Sequence, residues 1–240
     1  MPASRTLTSV LLCSLALSIG ECSDGGRRLG HARSSRSSSG SGSGLGSRPG
    51  GERSGLDPAS LKEGDLIFHR SNSSQSEAIR IATQSKFNHV GIIFQYKGQF
   101  MVFEAVQPVK ITPLPRFIER GNHHFVIKRL LDGDRVLSAE VIARMKALGQ
   151  GYLGKNYDLQ FRWSDERIYC SELVWKLYKQ GAGIEVGKLQ TARELNLGNP
   201  VVQKLIKQRY GDAAAIPLDE PIISPQAMFE SDRLVTVAEK

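Results

Sequence analysis

Cys170 is the only cysteine outside the N-terminal region of the chain, and a cysteine thiolate is a nucleophile. Apolar residues follow it at helical spacing, at Leu173, Val174, Leu177 and Tyr178, which predicts that Cys170 lies in the first turn of a helix. There the positive end of the helix dipole and the unpaired backbone N–H groups stabilise a thiolate. A free cysteine is equally often a small buried core residue, so position alone leaves both interpretations open.

A strand–turn–strand pattern upstream can bring an imidazole and a carboxylate together. Residues 88–96 and 99–106 are rich in β-branched and aromatic residues, and the Lys-Gly pair at 97–98 predicts a two-residue turn. In that register Glu104 lies on the same face as His89, one diagonal away, at roughly 7–8 Å. A histidine at a strand end is often simply bonded to backbone, but a carboxylate in an apolar strand is costly to bury unpaired. We therefore expect the two side chains to interact, since a carboxylate fixes the tautomer of a histidine and stabilises its imidazolium.

Composition divides the 240 residues into three parts. Residues 1–22 have the features of a signal peptide: Arg5, then an apolar run too short to span a bilayer, then small residues. An uncleaved anchor is the alternative. Residues 23–56 are mostly Gly, Ser and Arg and are predicted to form a disordered linker, whereas residues 57–240 suffice for one domain. The sequence therefore predicts a secreted or periplasmic protein of the cell envelope.

Charge and motifs exclude several classes of function. The net charge of +8 is shared equally between residues 1–56 and the domain, and no basic helix carries interleaved aromatics, which argues against nucleic-acid binding. The basic linker could contact an anionic envelope surface weakly, although a solvated linker is the simpler interpretation. No CxxC or HExxH motif occurs, and no metal site or organic cofactor is predicted.

The remaining pattern predicts an α+β fold with an antiparallel sheet, because strands and helices occur in groups and do not alternate. Besides the hairpin, strands are predicted at 66–68, 109–111, 124–130 and 233–237, and helices at 76–86, 114–120, 136–148, 201–208 and 225–230.

The chain resembles the YiiX/YebB-like family of circularly permuted papain-fold hydrolases, which are relatives of NlpC-type cell-wall peptidases and lecithin–retinol acyltransferases. An unpermuted papain-like enzyme has its cysteine before its histidine, whereas here the histidine and the carboxylate come first. The matching pieces occur in order over residues 61–237: Glu63–Phe68, Asn88–Ile92, Phe103–Ala105, Gly154–Asp158, Tyr169–Val174 and Ile223–Pro225.

The resemblance implies a role for each matching residue. It implies Cys170 as nucleophile, His89 as base and Glu104 as the carboxylate that orients the imidazole. Tyr157 is a looser match that would line the oxyanion side, and a buried core tyrosine is the alternative.

The expected function is a metal-independent cysteine amidase or peptidase acting on cell-wall peptides, peptidoglycan fragments or small amino-acyl amides. Two alternatives stay open. One is a lipid acyltransferase or thioesterase that uses the same residues, with residues 195–223 as a lid. The other is a non-catalytic binding module.

Overall fold

The computed structural model describes residues 56–71, 74–211 and 216–240. The predicted signal peptide (1–22) and all but the last residue of the predicted linker (23–56) lie outside these ranges. Within them, two short 3₁₀ helices (Pro58–Ser60 and Ala192–Glu194) accompany the main elements, which are β1 Leu66–His69, α1 Ser74–Ala82, β2 His89–Tyr96, β3 Gln99–Glu104, β4 Lys110–Pro113, α2 Leu114–Arg120, β5 Phe125–Leu130, α3 Gly133–Val136, α4 Ala139–Gln150, β6 Asn156–Tyr157, β7 Arg167–Ile168, α5 Cys170–Ala182, β8 Gln190–Thr191, α6 Pro200–Tyr210, β9 Pro221–Ile222, α7 Pro225–Phe229 and β10 Leu234–Glu239.

Six strands form one sheet in the order β10-β5-β1-β2-β3-β4, and every neighbouring pair is antiparallel. The hairpin register predicted from the turn is confirmed, because Tyr96 pairs with Gln99 and Ile92 with Phe103. The α+β prediction is confirmed as well. In the described ranges, no helix has the length and hydropathy needed to cross a bilayer.

Both faces of the sheet are buried, because alternate residues of each central strand point to different layers. Leu66 and Phe68 join the core that surrounds α5, whereas Ile67 joins a second core that contains Phe117 of α2. Helix α5 packs between β2 and α4. The sheet therefore holds the start of α5 against the start of β2, where His89 lies.

Helix α6 covers the edge of the domain next to α1. It begins after Asn199, whose side chain accepts a hydrogen bond from Val201 N at 2.9 Å, and Pro200 occupies the first helical position. Val202 and Ile206, one turn apart, are its buried residues. This helix closes a cavity that reaches Cys170.

Two helices differ from the sequence prediction. The helix predicted at 136–148 is interrupted, because Ser138 is extended and caps α4 by accepting a hydrogen bond from Val141 N. The helix predicted at 76–86 ends at Ala82, and Gln84 adopts a left-handed conformation with φ of 50°. In both places a local hydrogen bond or turn outweighs apolar periodicity.

Candidate active site

Cys170 is the first residue of α5, as its pattern predicts. Glu172 anchors this helix end, since its carboxylate accepts a hydrogen bond from Tyr169 N at 3.4 Å and lies 2.9 Å from Lys176 Nζ. The apolar residues at helical spacing after Cys170 are fully buried, which fixes the rotation of the helix. The thiol itself is almost entirely buried and borders the cavity under α6.

His89 and Glu104 interact directly across the β2–β3 hairpin. His89 Nε2 lies 2.6 Å from Glu104 Oε2, and Glu104 is completely buried. Thr112 Oγ1 donates to the other carboxylate oxygen at 2.5 Å, and the Arg120 guanidinium also bonds Oε2. Burial alone would raise the pKa of Glu104, but the hydrogen bond and charge of His89, with Arg120 and Thr112, lower it to about 2. Glu104 is therefore an ionised carboxylate held from three sides.

The Cys170 thiol lies beside the His89 ring, close enough for hydrogen-bond and charge interactions that shift the pKa of both groups. Because Nε2 is bonded to Glu104, this leaves Nδ1 for the sulfur. Burial alone would lower the pKa of His89, but the hydrogen bonds and charges of Cys170 and Glu104 raise it to about 9. Burial likewise opposes ionisation of Cys170, yet its pKa is lowered by His89 and by the Val90 backbone N–H. Both shifts favour a thiolate–imidazolium pair over a neutral thiol and imidazole.

Tyr157 lies beside the same thiol. Its hydroxyl is 4.0 Å from Cys170 Sγ, and its backbone N–H donates to Gln107 Oε1 at 2.7 Å. Burial raises the pKa of Tyr157 well above its usual value, and the neighbouring Cys170 adds to the rise. The phenol is thus a neutral donor directed at the sulfur. The structure brings all four predicted residues together.

A second histidine packs against the first. His69 pairs with His89 in the β1–β2 register, and their ring centroids are 5.1 Å apart in an edge-to-face arrangement. Within the described part of the chain, neither His69 ring nitrogen has a hydrogen-bond partner. Burial, followed by the charges of His89 and Arg120, lowers the pKa of His69 to about 3. His69 is therefore neutral, and both His69 and Phe117 pack against the His89 ring.

Two cavities meet at the site. One, of about 100 Å³, contains Cys170 and has a mainly apolar surface, formed by α1, α6 and the segments around 195–197 and 216–223; the charged residues Arg209 and Glu220 also line it. The other, of about 350 Å³, is a more open and more polar cleft that contains His89, Gln107 and Arg120. Tyr157 borders both. A substrate bound at Cys170 can therefore place one part in each cavity.

Sequence reasoning missed four residues of this site. Thr112, Arg120 and His69 come from a separate strand or helix, and only the sheet register brings them to Glu104 or His89. Arg209 of α6 lines the apolar cavity. A buried carboxylate did predict that partners exist, but its sequence neighbours do not identify them.

The order of histidine, carboxylate and cysteine, on a sheet packed against the cysteine helix, is that of a circularly permuted papain-like fold. The chain belongs to the permuted papain-like amidase enzymes of the YaeF/YiiX, C92 family, whose sequence model matches residues 60–238. The uncharacterized protein YiiX of Escherichia coli K12 is 44% identical over 177 residues, which are 74% of this chain and 86% of that protein. The crystal structure of the metalloprotein YiiX from E. coli O157:H7 is 45% identical, with a TM-score of 0.70, over 75% of this chain and 97% of the other.

Because that relative is a metalloprotein, we asked whether the site residues suit a metal ion. Among the described residues, no three His, Cys, Asp or Glu side chains are grouped as metal ligands. Both oxygens of Glu104 already accept hydrogen bonds, and Arg120 places a positive charge beside them. This donor set does not fit a bound cation.

Proposed function

We propose that the protein is a cysteine hydrolase that cleaves an amide bond with Cys170 as nucleophile, His89 as proton carrier and Glu104 as the orienting carboxylate. The observation that carries this proposal is the series of interacting groups from Cys170 through His89 to Glu104, which lowers the pKa of the thiol and so favours the nucleophilic thiolate. Membership in an amidase family supports the same reaction class.

The first half-reaction forms an acyl-enzyme. The Cys170 thiolate attacks the amide carbon, which creates a C–S bond and an oxyanion. As the C–N bond breaks, the His89 imidazolium gives its proton to the nitrogen, and the amine leaves. The product on the enzyme is a thioester.

The second half-reaction hydrolyses the thioester. His89 now takes a proton from water while the water oxygen attacks the thioester carbon, and the C–S bond breaks to release a carboxylic acid. The thiolate–imidazolium pair is restored, so no net change remains on the enzyme. None of these steps uses a metal or an organic cofactor.

The oxyanion of both intermediates requires hydrogen-bond donors. The backbone N–H of Cys170 at the start of α5 is one candidate. The Tyr157 hydroxyl is the other, because it is a neutral donor 4.0 Å from the sulfur. This is the role that we propose for Tyr157.

The proposed substrates are small: an amino-acyl amide, or a fragment of cell-wall peptide if the signal peptide predicted at 1–22 exports the protein. The mainly apolar surface of the cavity beside Cys170 supports an acyl group with an apolar chain.

Product analysis by mass spectrometry tests the proposal. The purified protein and its Cys170→Ser variant are incubated with amino-acyl amides, peptidoglycan fragments and phospholipids. We expect cleavage of an amide by the wild type, a rate lower by about a thousandfold or more in the variant, and an acyl adduct on Cys170 after acid quenching. Equal rates in both proteins, or products from phospholipids alone, would contradict the amidase assignment.

A further inference from the structure

Arg209 carries a guanidinium whose terminal nitrogens form no hydrogen bond with the residues that the structure describes. It projects from the end of α6 into the lining of the apolar cavity that contains Cys170. Its two terminal nitrogens are shielded from solvent, and in residues 56–71, 74–211 and 216–240 neither has a hydrogen-bond partner. An unpaired buried cation is expensive for a folded protein, so such a group normally has a partner. Here the partner is not supplied by the described chain.

The surroundings of Arg209 hold it in place without using its terminal N–H donors. Its guanidinium carbon lies 5.0 Å from the centroid of the Phe161 ring, a cation–π contact that orients the group without consuming its N–H donors. Asp158 is close enough to act on it electrostatically but forms no hydrogen bond with it, and Asp158 Oδ2 is likewise buried without a hydrogen-bond partner among the described residues. Burial lowers the pKa of Arg209, but a guanidinium stays protonated under all ordinary conditions.

The position of this cation relative to the thiol is informative. Arg209 interacts electrostatically with Tyr157, whose hydroxyl bonds the Cys170 sulfur. Arg209 borders the apolar cavity and not the polar cleft that contains His89. An anion that pairs with Arg209 would therefore occupy the same cavity as an acyl group attached to Cys170.

We propose that the apolar cavity binds the acyl part of the substrate and that Arg209 pairs with a carboxylate at the far end of that acyl part. The preferred substrate is then the amide of a short dicarboxylic acid or of a similarly acidic acyl group, and its amine lies in the polar cleft. This inference rests on the proposed function of Cys170. A guanidinium suits the task because its fork of N–H donors matches a carboxylate in two parallel hydrogen bonds.

A glutaryl group is a suitable probe of this subsite. Three methylenes separate its two carbonyl carbons, so it combines an apolar chain with a terminal carboxylate. The matched neutral acyl group is pentanoyl, which has five carbons as well and lacks the carboxylate. The difference between these two acyl groups isolates the contribution of Arg209.

The first test compares the kcat/KM values of glutaryl and pentanoyl 4-nitroanilides. We expect the wild type to prefer the glutaryl substrate by at least tenfold, and Arg209→Gln to lose that preference. Arg209→Lys should keep part of it, because the charge remains while the paired N–H geometry is lost. Lys204→Gln is the matched control, since it removes an exposed positive charge from the same helix and should preserve the preference.

A binding test separates this inference from the proposed function. Glutaric acid monoamide and pentanamide are compared as protectants of Cys170 against iodoacetamide. We expect the acidic amide to protect the wild type at concentrations at least tenfold lower, and Arg209→Gln to abolish this difference. If neither anilide is cleaved but the acidic amide protects as expected, the hydrolase proposal fails and the subsite stands.

The opposite results would overturn the inference. Cys170-dependent hydrolysis without preference for the glutaryl group would leave the hydrolase and remove the carboxylate subsite. Equal protection of Cys170 by both amides, or protection by neither, would also remove the carboxylate subsite. If Arg209→Gln only lowers the melting temperature and leaves the preference unchanged, Arg209 is a structural residue that pairs with Asp158.

Discussion

Glu104 and Arg209 are charged residues in two regions that border Cys170, and their surroundings differ. Glu104 is fully buried, and its oxygens accept hydrogen bonds from His89, Thr112 and Arg120. The terminal nitrogens of Arg209 are also shielded from solvent, but they have no partner among the residues that the structure describes.

This difference separates two ways of using a buried charge. The charge of Glu104 is balanced within the protein, so its position is set before any substrate binds, as a proton-transfer group requires. Asp158 balances the charge of Arg209 only in part, and the N–H donors of Arg209 are left for a ligand, as a specificity group requires. Substitutions in the first region should therefore change the rate of chemistry, and substitutions in the second should change the choice of substrate.

Glu104→Gln should have the largest effect on the region around Glu104, where the charge is balanced within the protein. The amide is neutral and cannot stabilise the imidazolium, and it leaves Arg120 without its counter-charge. We expect kcat to fall by about a hundredfold to ten-thousandfold, whereas alkylation of Cys170 should slow far less. Glu119→Gln is the control, because Glu119 is an exposed residue of α2 paired with Arg116. Equal losses of alkylation and turnover would show that Glu104 does not act through proton transfer.

The pH dependence of turnover and of Cys170 alkylation tests the thiolate–imidazolium pair of Cys170 and His89. Turnover needs the His89 proton for the leaving amine, so it should fall as the pH rises through the His89 pKa of about 9. Alkylation needs only the thiolate, so it should not fall there. At low pH both reactions should decline together, at the lowered pKa of Cys170.

His89→Ala gives the matched comparison for alkylation. Without the imidazolium, the Cys170 pKa should rise toward the free value of about 8.5. The check is the rate of iodoacetamide modification of Cys170 measured from pH 5 to pH 10 in both proteins. If the two profiles coincide near pH 8.5, Cys170 is an ordinary thiol and the proposed mechanism is wrong.

Thr112→Val removes one of the three donors to Glu104 with almost no change of shape. A buried oxygen that loses its hydrogen bond costs about 1–3 kcal/mol of unfolding free energy. We expect a loss in this range by urea denaturation, with a reduction in kcat of only a few-fold, because His89 and Arg120 still hold the carboxylate. Thr236→Val, at an exposed position of β10, should change neither quantity. A Thr112 variant as stable as the wild type would mean that its hydroxyl is dispensable.

The sequence alone predicted those features of the site that depend on residues close together in the chain. Helical spacing after Cys170 predicted the start of α5, and the two-residue turn predicted the parity that places Glu104 on the side of His89. Both rest on interactions between residues close in the chain. The partners Thr112 and Arg120 could not be predicted in this way, because β4 and α2 reach Glu104 only through the order of strands in the sheet.

Arg209 shows the same limit for the cavity. The helix around 201–208 was predicted from periodicity, and α6 is found at Pro200–Tyr210. Its contact with α1 is set by tertiary packing, so the sequence did not show that Arg209 faces the cavity beside Cys170. A single arginine near a helix end is ordinarily a solvated residue, and only its burial indicates another role.

The smallest effect concerns His69, the histidine beside His89 that has no hydrogen-bond partner among the described residues. Its pKa of about 3 lies below the usual 6.5, so the folded state disfavours its protonation. The contribution of neutral His69 to the free energy of unfolding is complete above pH 6.5 and is lost as the pH falls toward 3. Glu172 acts in the opposite direction, because burial raises its pKa to about 7 and its contribution decreases as the pH rises from 4.5. The His69 contribution must therefore be measured as a difference between two proteins.

The measurement is the free energy of unfolding of the wild type and of His69→Phe at several pH values between 4.5 and 6.5. Phenylalanine preserves the aromatic packing on Phe117 and cannot be protonated. We expect the wild type to lose stability relative to His69→Phe as the pH decreases, while the upper pKa of turnover, which belongs to His89, stays above its usual value in both proteins. Parallel stability curves would show that His69 is protonated freely in the folded state. The two histidines would then differ less than their hydrogen-bond partners indicate.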